Sequence, residues 1–131
     1  MDAARPDAGP VLAAGPSPRA RLARLARQAA LAAPGVAGLS AGPGQLVVAA
    51  DRGEALTGVT AEARSDGRFD VRVAVVVCEP LPPLHGLAER IRMRVGETAA
   101  AHGLGELLGP VEVSIADVAA PAALTGAEPA P

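Results

Sequence analysis

Few side chains in this sequence could carry out catalysis or hold a metal. His85 and His102 are the only histidines, and a helix between them would hold them about 25 Å apart at ~1.5 Å per residue. Groups so far apart cannot share a metal ion or form a proton-transferring pair within one chain. The single cysteine, Cys78, lies in an apolar run and is predicted to be buried as a small hydrophobic side chain. We therefore assign no catalytic, metal-binding or cofactor-binding residue and expect a non-enzymatic protein.

A glycine-rich stretch from Gly103 to Gly109 superficially resembles a dinucleotide-binding loop. Its spacing differs from that of the motif, and it follows a predicted helix, whereas the motif follows a strand and opens a helix. We interpret the stretch as the end of a helix followed by a turn.

The first predicted helix carries the most distinctive charged surface. Arg21, Arg24 and Arg27 recur every three residues, so they share one side of the helix. The opposite side carries the apolar residues Leu22, Leu25, Ala26, Ala29 and Ala33. We take the three arginines as a candidate interaction surface for an acidic protein, an anionic membrane surface or RNA. The alternative is an ordinary solvated helix face.

Composition limits the partners and the compartment. The net charge is −2 and Phe69 is the only aromatic residue, which disfavours bulk attraction to nucleic acid and base stacking. One cysteine cannot form a disulfide within the chain, so a reducing compartment is favoured. No apolar run approaches the ~20 residues that span a bilayer, and no signal-peptide pattern opens the chain. We expect a cytoplasmic protein.

Periodicity and turn residues predict the elements that position these side chains. Ser17-Pro18 predicts the start of a helix that ends at Pro34-Gly35. The further predicted elements are strands at 36–40 and 45–50, a hairpin of 57–64 and 69–79, a helix over 84–102 and a strand at 111–118. On the second helix, the stripe predicted to face the core is Leu84, Leu87, Ala88, Ile91, Val95, Thr98 and Ala99, with Met93 on the exposed side.

These elements predict an α+β fold. We expect a single two-layer domain in the order helix, strand, strand, hairpin, helix, strand, with a mixed sheet and both helices packed on one face. The last helix should connect two parallel strands. The domain is predicted to span residues 17–118, and the Ala-, Pro- and Gly-rich tails at 1–16 and 119–131 are predicted to be disordered.

The hairpin register is predicted from its two faces. An odd-length loop of three or five residues keeps apolar and charged side chains on separate faces, and it pairs Ala63 with Val71. The same register places opposite charges across from each other, Arg64 with Asp70 and Glu62 with Arg72. The apolar run Val75 to Cys78 predicts a central strand buried on both faces.

Four ordered segments resemble the alkaline shock protein family of bacteria, also called the Gls-type envelope stress response family. They are Ala33-Pro34-Gly35-Val36-Ala37-Gly38-Leu39 after the first helix, Gly58 to Glu62 followed by Asp66-Gly67-Arg68, the amphipathic second helix after a proline-containing break, and Val111 to Val118. The resemblance covers roughly residues 25–118. The segment 45–56 is not typical of the family, and the chain lacks the lysine and tyrosine residues that the family usually contains.

The resemblance implies a non-enzymatic protein of cell-envelope homeostasis that acts by protein–protein interaction near the inner membrane face. It implies self-association and an integral membrane anchoring protein as partners, with no small-molecule substrate and no cofactor. Exposed strand edges at 45–50 or 111–118 could bind a partner strand. The alternative function is a small RNA-binding α/β module, against which stand the negative net charge and the lack of aromatic residues.

Overall fold

The computed structural model describes residues 17–41, 47–49 and 55–120. Within these ranges, two helices and six strands form the predicted two-layer α+β fold. The predicted tails lie outside the described residues, except that Ala119 ends the last strand and Ala120 follows it. The strand predicted at 45–50 is described only at 47–49.

Helix α1 spans Pro18–Leu31 and begins where the sequence predicts. The Ser17 hydroxyl oxygen accepts a hydrogen bond from the backbone N–H of Ala20 at 3.1 Å, which satisfies one of the N–H groups that a helix start leaves unpaired. Leu25 is only half-buried, so it lies at the margin of the apolar side. Small side chains dominate the buried face and let the helix lie close to the sheet: Ala20, Leu22, Ala23, Ala26, Ala29 and Ala30.

One strand is central to the main sheet. The strands are β1 (Val36–Leu39), β2 (Val47–Ala49), β3 (Ala55–Thr57), β4 (Val59–Ala63), β5 (Phe69–Cys78) and β6 (Leu108–Ala119). Strands β1 and β4 pair antiparallel with β5 along one edge, and β6 pairs parallel with it along the other. Strands β2 and β3 form a separate antiparallel pair.

The predicted central position of β5 is confirmed, but its predicted burial on both faces is wrong. Val75 and Val77 are fully buried and belong to the core. Val76 and Cys78 point to the opposite face and are only half-buried. The run is apolar throughout, so its composition could not distinguish one covered face from two.

The hairpin between β4 and β5 has an odd-length loop, as predicted, but different strand partners. Ala63 pairs with Phe69 instead of Val71, which leaves residues 64–68 as the loop. Gly67 takes φ 88° there, a left-handed conformation that glycine adopts without steric cost. The register differs from the predicted one by two residues. A shift of two keeps every side chain on its predicted face, so alternation alone could not exclude it.

The shift changes which charges meet. Glu62 lies opposite Asp70 instead of Arg72. Arg64 still binds Asp70, with Nη1 2.9 Å from a carboxylate oxygen, although the two are not direct strand partners. Arg72 pairs instead with Glu112 of β6 at 3.3 Å. The Arg64 guanidinium thus lies where it offsets the like charges of Glu62 and Asp70.

Strands β1 and β4 meet end to end beside the middle of β5. The carbonyl of Gly58, which takes φ 85°, accepts a hydrogen bond from the Ala74 N–H at 2.9 Å. The Ala74 carbonyl accepts one from the Ser40 N–H at 3.0 Å. The sequence predicts one strand over 57–64, but the left-handed residue Gly58 divides it into β3 and β4.

Helix α2 spans Leu84–Ala101 and connects β5 to the parallel strand β6, as predicted. Met93 is exposed, also as predicted, whereas Leu84 is exposed and does not belong to the buried stripe. Side chains of both helices join those of the sheet in one core. The buried residues of α2 recur at helical spacing: Leu87, Ile91, Val95 and Ala99.

Candidate interaction surfaces

The two histidines lie at opposite ends of one helix. His85 is the second residue of α2, and His102 is the residue that caps its C-terminal end. Both side chains are exposed. Within the described ranges, no three or more His, Cys, Asp or Glu side chains are grouped so that they could hold a metal ion. Each imidazole must therefore be considered with its own neighbours.

The thiol of Cys78 is half-buried, so the prediction of a buried cysteine is wrong. Cys78 is the last residue of β5. Its Sγ lies 3.5 Å from the carbonyl oxygen of Glu79 and 3.9 Å from that of Ala120. These are weak contacts for a thiol donor, and they place the sulfur at the C-terminal end of the central strand β5.

The glycine-rich stretch after α2 is a helix end and a turn, as predicted. Gly103 takes φ 75°, which is typical of a glycine that ends a helix. A short 3₁₀ helix, Gly105–Leu107, then leads directly into β6.

The candidate arginine surface divides into two parts. Arg21 is exposed and Arg24 is half-buried, and both line a groove of about 160 Å³ beside the C-terminal end of α2. Arg27 is half-buried and does not line this groove; its Nε is buried without a hydrogen-bond partner. We call this feature the arginine groove; its lining is Arg21, Arg24, Leu25, Gln28 and His102.

His102 lies at the end of α2 and lines the same groove as Arg21 and Arg24, a proximity that the sequence did not predict. Its Nδ1 lies 2.9 Å from the carbonyl oxygen of Thr98. Since a carbonyl oxygen only accepts, Nδ1 carries a proton in this arrangement. Nε2 is then the ring nitrogen available to a ligand. Only the antiparallel packing of α1 against α2 reveals this neighbour, because the two segments are far apart in the sequence.

A second surface lies at the other end of the two helices. Of the five large hydrophobic side chains exposed among the described residues, four lie at this end, and Met93 is the fifth. We call this surface the apolar end; its members are Leu31, Leu81, Leu84 and Val118. No local sequence pattern marks this surface, although the segment Pro80-Leu81-Pro82-Pro83-Leu84 carries two of its four side chains.

Backbone contacts hold the parts of the apolar end together. The carbonyl of Gly35, which follows α1, accepts a hydrogen bond from the Cys78 N–H at 3.0 Å. Pro82 lies so close to Gly35 that a Cβ there would be 3.1 Å from the proline ring. The N–H of Glu79 donates to the carbonyl of Ala119 at 3.1 Å. The end of α1, the start of α2 and the end of β6 therefore lie at the same end of the domain.

Arginine side chains bind backbone carbonyl groups at the start of β6, the outermost strand on its side of the sheet. In the described sheet β6 pairs only with β5, as expected of an edge strand at 111–118. Arg68 Nη1 donates to the Leu108 carbonyl at 2.9 Å, and Arg92 Nε donates to the Val111 carbonyl at 3.1 Å. Pro110 between them has no N–H. Charged side chains and proline are the usual means of blocking an edge strand from further pairing.

The later part of the same edge is also partly satisfied. The side chain of Asp117 accepts a hydrogen bond from the Val118 N–H at 2.8 Å. In the described structure, no side chain is seen to bind the backbone of residues 113–116 of β6 in this way. Four residues are a short stretch for pairing with a partner strand, so the edge is a weaker interaction surface than the sequence suggests.

No helix among the described residues is long and apolar enough to cross a membrane. Comparisons of the chain with protein-family models, with curated proteins and with solved structures give no significant match.

Proposed function

We propose that this chain is a non-enzymatic interaction protein of cell-envelope homeostasis that acts at the inner membrane face. It binds an integral membrane anchoring protein and associates with further copies of itself. The ordered motifs that resemble the alkaline shock family support the envelope role. They include the segment after α1 and the final strand β6.

The observation that carries the proposal is the apolar end. Exposed large apolar side chains that cluster, instead of being scattered, mark surfaces that bind another protein or a membrane. Here the four side chains lie at one end of the domain, where α1 and β6 end and α2 begins. Prolines precede and separate Leu81 and Leu84. Proline restricts the backbone, so little conformational entropy is lost when a partner covers this segment.

Membrane co-sedimentation of the full chain tests the proposal. In lysates of the cells that make it, the wild-type chain should sediment with the cytoplasmic membrane at a speed that leaves free proteins in solution. Leu81→Ser should move the chain to the supernatant, because burying a leucine contributes about 1.5–3 kcal/mol, or roughly tenfold or more in binding. Leu81 is 49% exposed, so its replacement should leave folding intact.

Met93→Ser is the matched control, because Met93 is 62% exposed and lies outside the apolar end. It should leave co-sedimentation unchanged. The proposal is wrong if the wild-type chain stays in the supernatant and monomeric at high concentration, or if both variants sediment like the wild type. A salt-dependent shift of RNA by the wild-type chain, without membrane sedimentation, would favour the RNA-binding alternative.

A further inference from the structure

We infer that the apolar end binds the basic flank of a membrane-spanning helix, a segment that presents aliphatic side chains beside Lys or Arg. The inference rests on the proposed function, and it names the part of the anchoring protein that this end of the domain would contact. Exposed aliphatic side chains and unpaired carboxylates at the same end of the domain support it.

The aliphatic side chains of the apolar end come from four places in the chain. Leu31 ends α1, Leu81 lies in the connection before α2, Leu84 begins α2, and Val118 lies next to the last residue of β6. All four are between 38 and 49% exposed. Val118 pairs with Val77 of β5, which is fully buried in the core. Since paired residues of neighbouring strands share a face, Val118 continues the core face to the surface.

Basic side chains are missing from the segments that meet at this end of the domain. These segments are 28–41, 73–89 and 113–120, and none of them contains arginine or lysine. Every arginine that the structure describes lies elsewhere, although the chain has twelve basic residues. The nearest along α1 is Arg27, about one helical turn before Leu31, and its Nε is buried.

Two carboxylates at this end remain without a basic partner among the described residues. The Glu79 side chain is exposed, and its backbone N–H donates to the carbonyl of the last residue of β6 at 3.1 Å. Asp117 is exposed and accepts a hydrogen bond from the Val118 N–H at 2.8 Å. Neither carboxylate forms an ion pair within the described ranges, whereas Glu89 already binds Arg92. This end of the domain is therefore anionic as well as apolar.

This combination favours a basic segment over lipid or a second copy of the chain. The cytoplasmic leaflet is anionic and attracts Lys and Arg, so Glu79 and Asp117 would oppose direct contact with its head groups. A symmetric contact between copies presents the same patch twice, which would bring like carboxylates together at a cost. The cytoplasmic flanks of membrane-spanning helices are enriched in Lys and Arg. Such a flank matches both the charge and the apolar character of this end.

Binding of a labelled synthetic peptide to the full chain tests the inference. The probe is a fluorescein-labelled peptide that repeats Gly-Leu-Lys-Lys, and fluorescence anisotropy measures its affinity at about pH 8, where histidine rings are ordinarily neutral. Binding should shift the methyl NMR signals of Leu81 and Val118 and leave that of Met93 unchanged. Peptides with Glu for Lys, or with Ser for Leu, should bind about tenfold more weakly.

Glu79→Arg should weaken binding of the probe by about fivefold or more, since it removes an attractive charge and adds a repulsive one. Glu106 is exposed in the 3₁₀ helix beyond the opposite end of α2, and Glu106→Arg makes the same change in net charge. Affinity within about twofold of wild type is expected for this control. Leu81→Ser should weaken binding by about tenfold, and Met93→Ser should not.

Absence of peptide binding would overturn the inference. So would equal losses of affinity in Glu79→Arg and Glu106→Arg, which would indicate attraction by net charge alone, or binding that leaves the Leu81 and Val118 signals unchanged. Tighter, Leu81-dependent binding to phosphatidylglycerol vesicles would assign the apolar end to lipid, and Leu81-dependent dimerisation without peptide binding would assign it to a second copy. The proposed function is decided by co-sedimentation of the wild-type chain, which none of these outcomes measures, so the two can fail separately.

Discussion

Gly58 lies directly against Leu39, so that a Cβ at position 58 would come within 2.6 Å of the Leu39 Cβ. The Ser40 backbone is also close, with its N and O both 3.0 Å from the same point. This contact occurs where β1 and β4 meet end to end beside Ala74. Glycine is required there both for its φ of 85° and for the lack of a side chain.

Gly58→Ala should therefore destabilise the protein strongly. The left-handed conformation costs a residue with a Cβ about 1–2 kcal/mol, and the overlap with Leu39 adds to that cost. We expect a loss of more than about 2 kcal/mol in the free energy of unfolding, measured by urea denaturation. Gly38→Ala is the matched control, since no atom of the described residues, apart from Gly38 and its two chain neighbours, lies within 4 Å of its Cβ position. Equal effects of the two substitutions would contradict the close packing at this junction.

The hairpin loop should contribute stability that depends on pH. The backbone N–H of Arg68 donates to the Asp66 carboxylate at 3.0 Å, and this bond, aided by the Arg64 guanidinium, lowers the pKa of Asp66 below its ordinary value near 3.8. A carboxyl with a lower pKa in the folded state stabilises that state above its unfolded pKa. The contribution is lost as the pH falls through the folded pKa.

Asp66→Ala should thus lower the free energy of unfolding at pH 7, and its difference from wild type should shrink below about pH 4. Asp66→Asn keeps an acceptor for the Arg68 N–H but loses the charge near Arg64, so it should fall between the two. Thermal unfolding followed from pH 7 to pH 3 measures all three proteins. A difference that stays constant over this range would show that the charge of Asp66 contributes nothing.

The hydrogen bond from Arg92 to the backbone of β6 should limit association between chains. Arg92 donates to the Val111 carbonyl at 3.1 Å and to Glu89 at 2.6 Å. Arg92→Ala should free the carbonyl and lengthen the open part of the edge, which favours pairing between chains. Sedimentation velocity should show a larger share of oligomers than in wild type. Arg90→Ala, which removes a neighbouring exposed arginine, should leave the share of oligomers unchanged. An unchanged share in Arg92→Ala as well would contradict the role of Arg92 in blocking the edge of β6.

Local patterns predicted much of the fold. Ser17-Pro18 identified the start of α1, and the spacing of Leu87, Ile91 and Val95 identified the buried face of α2. Side-chain alternation also assigned the faces of β4 and β5 correctly. These features depend on short-range periodicity and on capping, which act within a few residues along the chain.

The remaining features depend on contacts between distant segments. The observed hairpin register differs from the predicted one by two residues, because the alternation of faces is the same in both registers. Arg72 pairs with Glu112, which lies on a different strand from its predicted partner. The apolar end joins three segments that no local pattern connects. In the same way, His102 and Arg21 line one groove only because the two helices pack against each other.

Site-specific photo-crosslinking tests most directly whether the apolar end binds a partner. A photoreactive amino acid placed at position 81 of the full chain, in the cells that make it, should give a covalent adduct with an integral membrane protein or with a second copy of the chain. The same group at position 93 should give neither. Adducts in equal yield from the two positions, or none from position 81, would contradict the account.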